Sequence, residues 1–398
     1  MALTREYSDN WHDLGSVLVY QSPTFQFKSH VIITDFEGCL IKKMASNKLY
    51  HAIDPKTIAP YNVEFVKQIK AESINYSIVI ISNVFGAGKL VTDSIKYKIE
   101  TFCSLYSVPI LALFAVKRNR MSKPHTGMWI FLNSFFTKFG NASIQKACVI
   151  SDFGGRVIER ANVRGIIKTT SDLTDIDRAF AHNVGIPYHT IHEYLIAETK
   201  ENFAWNANYL SPELRELYVE KLSEYKNPNI FAKLVEAGQH DSYMIIIYGA
   251  PRSGKTTLAR EILTKWRDSK YGKSRAIKRF GLEECTVAKR VKLVRKALED
   301  RISVIIDGMM HTTAFRQPFE DLAATHKTPI LYIEVNPGLG MAYIFNHVAV
   351  ELTIDENIEL YDMADYLHYK SKVIRPKNAI LYCPVIKKTK QVMLFRYS

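Results

Sequence analysis

The stretch Met244–Ile262, MIIIYGAPRSGKTTLAREI, constrains the fold of this chain more than any other. Met244 to Tyr248 is a short run of β-branched and large apolar side chains, the pattern of a buried strand. Gly249-Ala-Pro-Arg-Ser-Gly254-Lys255-Thr256 follows and matches G-x-x-x-x-G-K-[ST] in full. Leu258, Ile262 and Leu263 then share one face of a helical pattern. Strand, glycine loop and helix stand in the order a P-loop needs. The glycines let backbone N–H groups turn inward and cradle phosphate oxygens at a helix N-terminus. Lys255 is expected to reach the β- and γ-phosphates, and Thr256 to hold Mg²⁺ through its hydroxyl. Gly249, Ser253, Gly254, Lys255, Thr256 and Thr257 are thus the expected binding residues for a nucleoside triphosphate.

The first half repeats a strand-then-loop grammar. Leu14–Tyr20 reads as a first strand, and His30–Thr34 as a second that runs into Asp35-Phe-Glu37-Gly38. Ser77–Ile81 leads to Ser82-Asn83, Ile110–Val116 precedes Lys123-Pro124, and Ala147–Ile150 ends at Ser151-Asp152. Helical patterns over Val63–Ile74 and Thr92–Tyr106 separate them. Strands that alternate with helices predict a parallel sheet. Asp35, Ser82, Lys123 and Asp152 then leave four strand ends on one edge, where α/β sheets bind ligands.

Those four side chains share a chemical logic. Asp35 and Asp152 can hold one Mg²⁺ that keeps several waters. An ionised Asp35 can attack phosphorus and form an aspartyl-phosphate. Ser82 and Lys123 supply a hydroxyl and an ammonium to the phosphate oxygens. One Asp after a strand is an ordinary helix cap, but capping does not account for all four.

The order and wording of these segments resemble the polynucleotide kinase 3′-phosphatase family. Asp35-Phe-Glu37-Gly38-Cys-Leu40-Ile41 is similar to its D-x-D-G-T-L-I motif. Ser82-Asn83 with Gly86-Ala-Gly88-Lys89-Leu90 is similar to its T-N-Q-x-G-I-x-x-G-K-L segment. Lys123-Pro-His-Thr-Gly-Met-Trp129 resembles K-P-x-T-G-M-W almost letter for letter, and Ser151-Asp152-Phe-Gly-Gly-Arg156 resembles G-D-A-A-G-R. Asp172 through Asp177-Arg178 to Pro187 resembles D-x-x-x-x-D-R-x-F-A-x-N-x-G-x-P. The similarity runs from about Trp11 past Tyr194 and resumes at the P-loop. It leaves no length for a forkhead-associated module. The resemblance implies two Rossmann-like α/β domains, a haloacid-dehalogenase-like 3′-phosphatase followed by a P-loop 5′-kinase. It implies Mg²⁺ and ATP as cofactors and DNA or RNA ends as substrates. It makes Asp35 the nucleophile, with Ser82 and Lys123 on the phosphate.

Four features depart from the family pattern. Its second Asp, the general acid, is Glu37 here, one methylene longer. A displacement near 1 Å can cost about a hundredfold in rate. Cys39 replaces a Thr. In the second half, Ile302–Ile306 ends at Asp307, which resembles the family's I-D-N-T-N segment and is expected across from the P-loop, with Arg316 downstream. The family's kinase base falls by spacing on Leu282, with Glu283 beside it as the substitute. Asn336–Leu352, where the family carries a lid arginine, holds no Lys or Arg, only His347.

Composition frames these readings. At 398 residues the chain has room for two domains. Polar and aromatic Asn202–Gln239 predicts a linker, hence domains at 1–235 and 236–398. No apolar run is long enough to span a membrane, and MALTREYSDNW does not read as a signal peptide. Five cysteines without a C-x-x-C pair argue against a zinc site or disulfide framework and for an intracellular, reducing setting. The formal net charge is +13. Thirteen Lys and Arg against five acids fall between Lys265 and Arg301, which suits a polyanion. Trp266 and Tyr271 in that tract suit either base stacking or packing. The competing expectation is a nucleic-acid-binding or scaffold protein with one or both sites degenerate. A small-nucleotide kinase fused to an unrelated phosphatase is a third, which the basic tract disfavours.

Overall fold

Apolar runs and amphipathic helices alternate along the chain and build two mainly parallel sheets in the computed structural model. It describes residues 9–42, 58–85, 89–161, 167–172, 174–197, 200–204, 230, 232–233, 242–269, 272, 275–281, 286–352, 358, 360–361 and 363–383. They fall in two compact units, one mainly residues 1–211 with 350–360, the other mainly 212–349 with 361–389. We propose that these correspond to the two expected domains. The expected boundary near residues 235–241 lies outside the described residues.

The first unit carries β1 (Trp11–Asp13), β2 (Val17–Gln21), β3 (His30–Thr34), α1 (Val63–Glu72), β4 (Ser77–Asn83), α2 (Lys89–Tyr106), β5 (Ile110–Ala115) and α3 (Gly127–Gly140). It continues with β6 (Lys146–Ile150), β7 (Val157–Ala161), β8 (Ile167–Ser171), α4 (Ile176–Val184), β9 (Tyr188–His189) and α5 (Ile191–Leu195). Its main sheet runs β1-β2-β5-β4-β3-β6-β9, and β7 pairs with β8 in a separate ribbon. β5, β4, β3, β6 and β9 are parallel, while β1–β2 and β2–β5 are antiparallel. The sequence pattern starts the strand at Leu14, but residues 14–16 form the turn between β1 and β2, and the strand begins at Val17. Gly15 takes φ +82°, the Leu14 N–H donates to Val17 O, and Leu14 is left exposed. Side chains alternate between two cores, Ile32, Ile78 and Ile80 on one face and Val31, Ile33, Val79 and Ile81 on the other. Burial on both faces explains why these strands read as unbroken apolar runs.

The second unit holds β10 (Met244–Tyr248), α6 (Lys255–Asp268), β11 (Ile277–Gly281), α7 (Val287–Glu299), β12 (Ser303–Gly308) and α8 (Thr313–Thr325). After them come β13 (Ile330–Val335), α9 (Leu339–Leu352), α10 (Met363–Lys372) and β14 (Ile380–Tyr382). All five strands are parallel, in the order β11-β12-β10-β13-β14. In both sheets the first parallel strand is flanked on both sides by later ones, β3 by β4 and β6, and β10 by β12 and β13. That reversal of strand order is where an open α/β sheet opens its ligand crevice. Asp35 follows β3, and the glycine loop follows β10. No described helix is long and apolar enough to cross a membrane.

Candidate active sites

The first site is built on the turn after β3. Gly38 has φ +85°, a Cβ there would meet the Phe153 ring at 2.8 Å, and its N–H donates to Ile41 O at 2.7 Å. Glycine therefore lets the chain fold back sharply beside Asp35. The carboxylate of Asp35 is buried and fully engaged. Oδ1 accepts the Phe36 N–H at 2.7 Å and the Ser82 hydroxyl, and Oδ2 accepts from Lys123 Nζ at 2.8 Å. Strand register brings Asp152 near: Thr34 is opposite Ile150, so Asp35 and Asp152 leave adjacent strands one and two residues past that pair. Asp35, Ser82 and Lys123 are thus in direct contact, with Asp152 on the neighbouring strand end.

Two residues that earlier had no assigned part complete the setting. Asp177, at the start of α4, is buried and bonds both Lys123 Nζ and the Ser151 hydroxyl. Asn83 fixes the Lys123 backbone, accepting its N–H at 2.8 Å and donating to its carbonyl at 2.9 Å. The D-R pair in the family-like segment and the Asn after Ser82 were the sequence signals for both. Lys123 therefore stands between two carboxylates. Burial alone would lower its pKa, but Asp177 and Asp35 hold it above the ordinary lysine value. Burial pushes Asp177 up to about 6, opposed by the ammonium. Cys39, in place of the family's Thr, is buried against Ser151 and Asp152, and burial pushes its thiol well up. It stays a neutral thiol, a packing group rather than a nucleophile.

Asp152 is held by Arg156 at 3.3 Å and accepts the Ile191 N–H at 3.4 Å. Arg156 in turn bonds Asp172 along a two-nitrogen edge. Burial raises the Asp152 pKa, and Arg156 offsets this only in part. A cation beside Asp152 would relieve that cost. Asp35 and Asp152 offer hard oxygen donors of the kind Mg²⁺ takes one or two at a time. No group of three or more His, Cys, Asp and Glu able to hold a metal occurs among the described residues. Glu37 reaches α2, where its Oε1 accepts from the buried Lys98 Nζ.

The second site is the loop between β10 and α6. Gly249 is forced by close approach, because a Cβ there would meet Val335 O at 2.4 Å and Ser253 Oγ at 2.6 Å. Gly254 takes φ +98° and Arg252 φ +55°, left-handed conformations that turn the loop tightly into α6. Ser253 is fully buried and its hydroxyl has no hydrogen-bond partner. An orphaned buried hydroxyl in a glycine cradle is the mark of a site shaped for an absent oxygen ligand. Lys255 Nζ donates back to Ala250 O at 2.6 Å, spanning the loop. Thr257 is exposed on the first turn of α6. Thr256 Oγ1 donates to Asp307 Oδ2 at 2.8 Å, which the parallel register explains, since Ile247 is opposite Asp307. Arg279 of β11 grips the same carboxylate at 2.8 Å through both Nε and an Nη.

Several expectations resolve differently. Glu283 and Leu282 lie outside the described residues, as does Tyr271. Trp266 is no stacking platform: it is fully buried, its Nε1 donates to Arg275 O at 3.0 Å, and it packs on Tyr243. Arg316 is buried, donates to Met310 O at 2.8 Å and lies over the Tyr248 ring. The basic tract also divides. Arg279 faces Asp307 and Arg290 is buried, whereas Lys289, Lys292, Arg295 and Lys296 line the exposed side of α7.

Known proteins similar to this chain are as follows. Residues 30–195 match the family model described as polynucleotide kinase 3 phosphatase. A bifunctional polynucleotide phosphatase/kinase of Schizosaccharomyces pombe is 26% identical over 346 residues, covering 85% of this chain and 75% of that protein. A putative bifunctional polynucleotide phosphatase/kinase of Acanthamoeba polyphaga mimivirus is 23% identical over 340 residues, 79% of this chain and 74% of its own length. Among solved structures, Chaetomium thermophilum Kti12 in complex with ADP-AlF3 aligns to 38% of this chain and 95% of its own, at 16% identity and a TM-score of 0.30. The family match covers the strand ends that carry Asp35, Ser82, Lys123 and Asp152, and the two relatives extend along most of the chain. Over residues 30–195 the chain resembles the polynucleotide kinase 3′-phosphatase family, and over most of its length it is similar to two bifunctional polynucleotide phosphatase/kinases.

Proposed function

We propose that the protein heals broken nucleic-acid ends, removing 3′-phosphates at the first site and phosphorylating 5′-hydroxyls with ATP at the second. The observation that carries this is the contact of Asp35 with Ser82 and Lys123 beside Asp152, in a chain that also holds a complete P-loop. Asp35 attacks the phosphorus and the bond to O3′ breaks. Lys123 and Ser82, already bonded to the nucleophile, lie where they can also meet the phosphoryl oxygens. Glu37 gives a proton to the leaving O3′ and takes one from the water that later releases phosphate from Asp35. Asp35 and Asp152 would hold Mg²⁺, which offsets charge on the phosphoryl group.

In the second unit the Ser253–Thr257 turn and Gly249 cradle the ATP phosphates, and Lys255 swings from Ala250 O to them. Thr256, ordered by Asp307, would hold a second Mg²⁺. Glu283 is proposed as the base for the 5′-hydroxyl. The exposed Lys and Arg of α7 would supply salt-sensitive contact with the strand, DNA or RNA. The orphaned Ser253 hydroxyl and the fully bonded Asp35 weigh against a binding protein with decayed sites.

Lys255→Ala tests the second half. It removes the charge that faces the phosphates, so ATP binding should weaken and transfer to a 5′-hydroxyl oligonucleotide should vanish, with 3′-phosphate release unchanged. Equilibrium binding of ATP and single-turnover transfer measure the two. Transfer at the parent rate would remove Lys255 from the site.

A further inference from the structure

Lys98 is an anomaly in its helix. Ile95, Ile99 and Phe102 form the buried stripe of α2 and pack with Phe36, Cys39 and Leu40 of the turn after β3. Lys98 stands three residues after Ile95 and four before Phe102, on that same face, and is 2% exposed. An ammonium in such a place is costly unless it is paired and hydrogen-bonded. The carboxylate it bonds is Glu37, the residue that departs from the family's Asp. Lys98 donates to Oε1, while the Glu37 side chain as a whole stays 33% exposed.

We propose that Lys98 is a positioning residue for the phosphatase reaction, anchoring Oε1 of Glu37 so that Oε2 carries the proton to and from the scissile oxygen. The inference rests on the phosphatase reading given above. A free Glu side chain has one more rotatable bond than Asp and spreads its carboxyl over more positions. Tethering one oxygen to a lysine fixed in the core removes that freedom. In the first step Asp35 bonds to phosphorus, the P–O3′ bond breaks, and O3′ takes the proton from Oε2. In the second, water attacks phosphorus, its proton passes to Oε2, and Asp35 leaves with its electron pair. Lys98 neither gives nor takes a proton in these steps. It bonds Oε1 as a carbonyl when Oε2 is protonated and as a carboxylate oxygen when it is not. The longer acid and the buried amine are a matched pair, and Glu37 is an alternative geometry rather than a decayed one.

The test uses the full-length protein, Lys98→Met, Lys98→Arg and Glu37→Gln. Two substrates separate positioning from folding. A 3′-phosphate oligonucleotide has a poor leaving oxygen that needs a proton, whereas p-nitrophenyl phosphate releases a phenolate that does not. First-turnover release should fall about a hundredfold on the oligonucleotide in Lys98→Met, the lower end of what a general acid contributes. On p-nitrophenyl phosphate it should fall less than about threefold, because that leaving group makes no call on the acid. Lys98→Arg should restore a good part of the loss. Adding Lys98→Met to Glu37→Gln should cost little more, since the lysine acts through that side chain. Equal losses on both substrates, or losses that multiply in the double variant, would reduce Lys98 to a packing residue and overturn the proposal. A parent that releases phosphate from both substrates while Lys98→Met matches it overturns this inference alone. A parent inactive on both overturns the phosphatase reading and this inference with it.

Discussion

Asp35→Asn should end 3′-phosphate release while leaving ATP binding at its parent level. The amide keeps the size of the side chain and one oxygen for the Phe36 N–H and the Ser82 hydroxyl. It loses the charge and the nucleophilic oxygen, and turns an N–H toward the Lys123 ammonium, which Asp177 still holds. No aspartyl-phosphate can form, so release of phosphate from a 3′-phosphate oligonucleotide falls by several powers of ten. The P-loop belongs to the other compact unit, so nucleotide affinity serves as the folding control. Substantial phosphate release by this variant would remove Asp35 from the mechanism.

Lys123→Met should cost both stability and activity. Lys123 and Asp177 are at most 3% exposed in their side chains, and Asp35 is only slightly more open. Without the ammonium, two carboxylates remain buried and unpaired. Breaking a buried pair in this way costs about 3–5 kcal/mol. Denaturant unfolding followed in the first unit should show the loss, and adding Asp177→Asn should return a large part of it. The double variant should still release no phosphate, because nothing replaces the cation at the phosphoryl group. A single variant that unfolds at the parent denaturant concentration would mean that Lys123 is not the hub of this site.

The sequence was legible where each residue's environment repeats along a strand or follows a rigid local motif. β3 and β10 stand at the bounds their apolar runs suggest. Asp35, Ser82, Lys123 and Asp152 share one edge because parallel strands all end on the same side. The P-loop was legible because its glycines answer steric needs that no other residue meets, as the Val335 carbonyl against Gly249 demonstrates. Contacts between distant segments were not legible. Nothing local to α2 says that Lys98 would be buried against Glu37, and a lysine at that helix position reads as a solvent-facing one. Asp177 was visible in a family-like segment, but its bond to Lys123 depends on how α4 sits on the sheet. The parts of Trp266 and Arg290 were open for a related reason. An aromatic or an arginine in a basic tract suits a nucleic acid or the interior, and here both are buried.

The central claim is that one chain carries two complementary end-healing activities. The most direct measurement gives the protein Mg²⁺, ATP and an oligonucleotide with a 5′-hydroxyl and a 3′-phosphate, and follows both termini by mass. The account predicts that the 3′ end loses 80 Da, about the mass of one phosphoryl group as HPO₃, and the 5′ end gains the same. It also predicts that omitting ATP blocks only the gain. An oligonucleotide bound tightly but left unchanged at both ends would contradict the account.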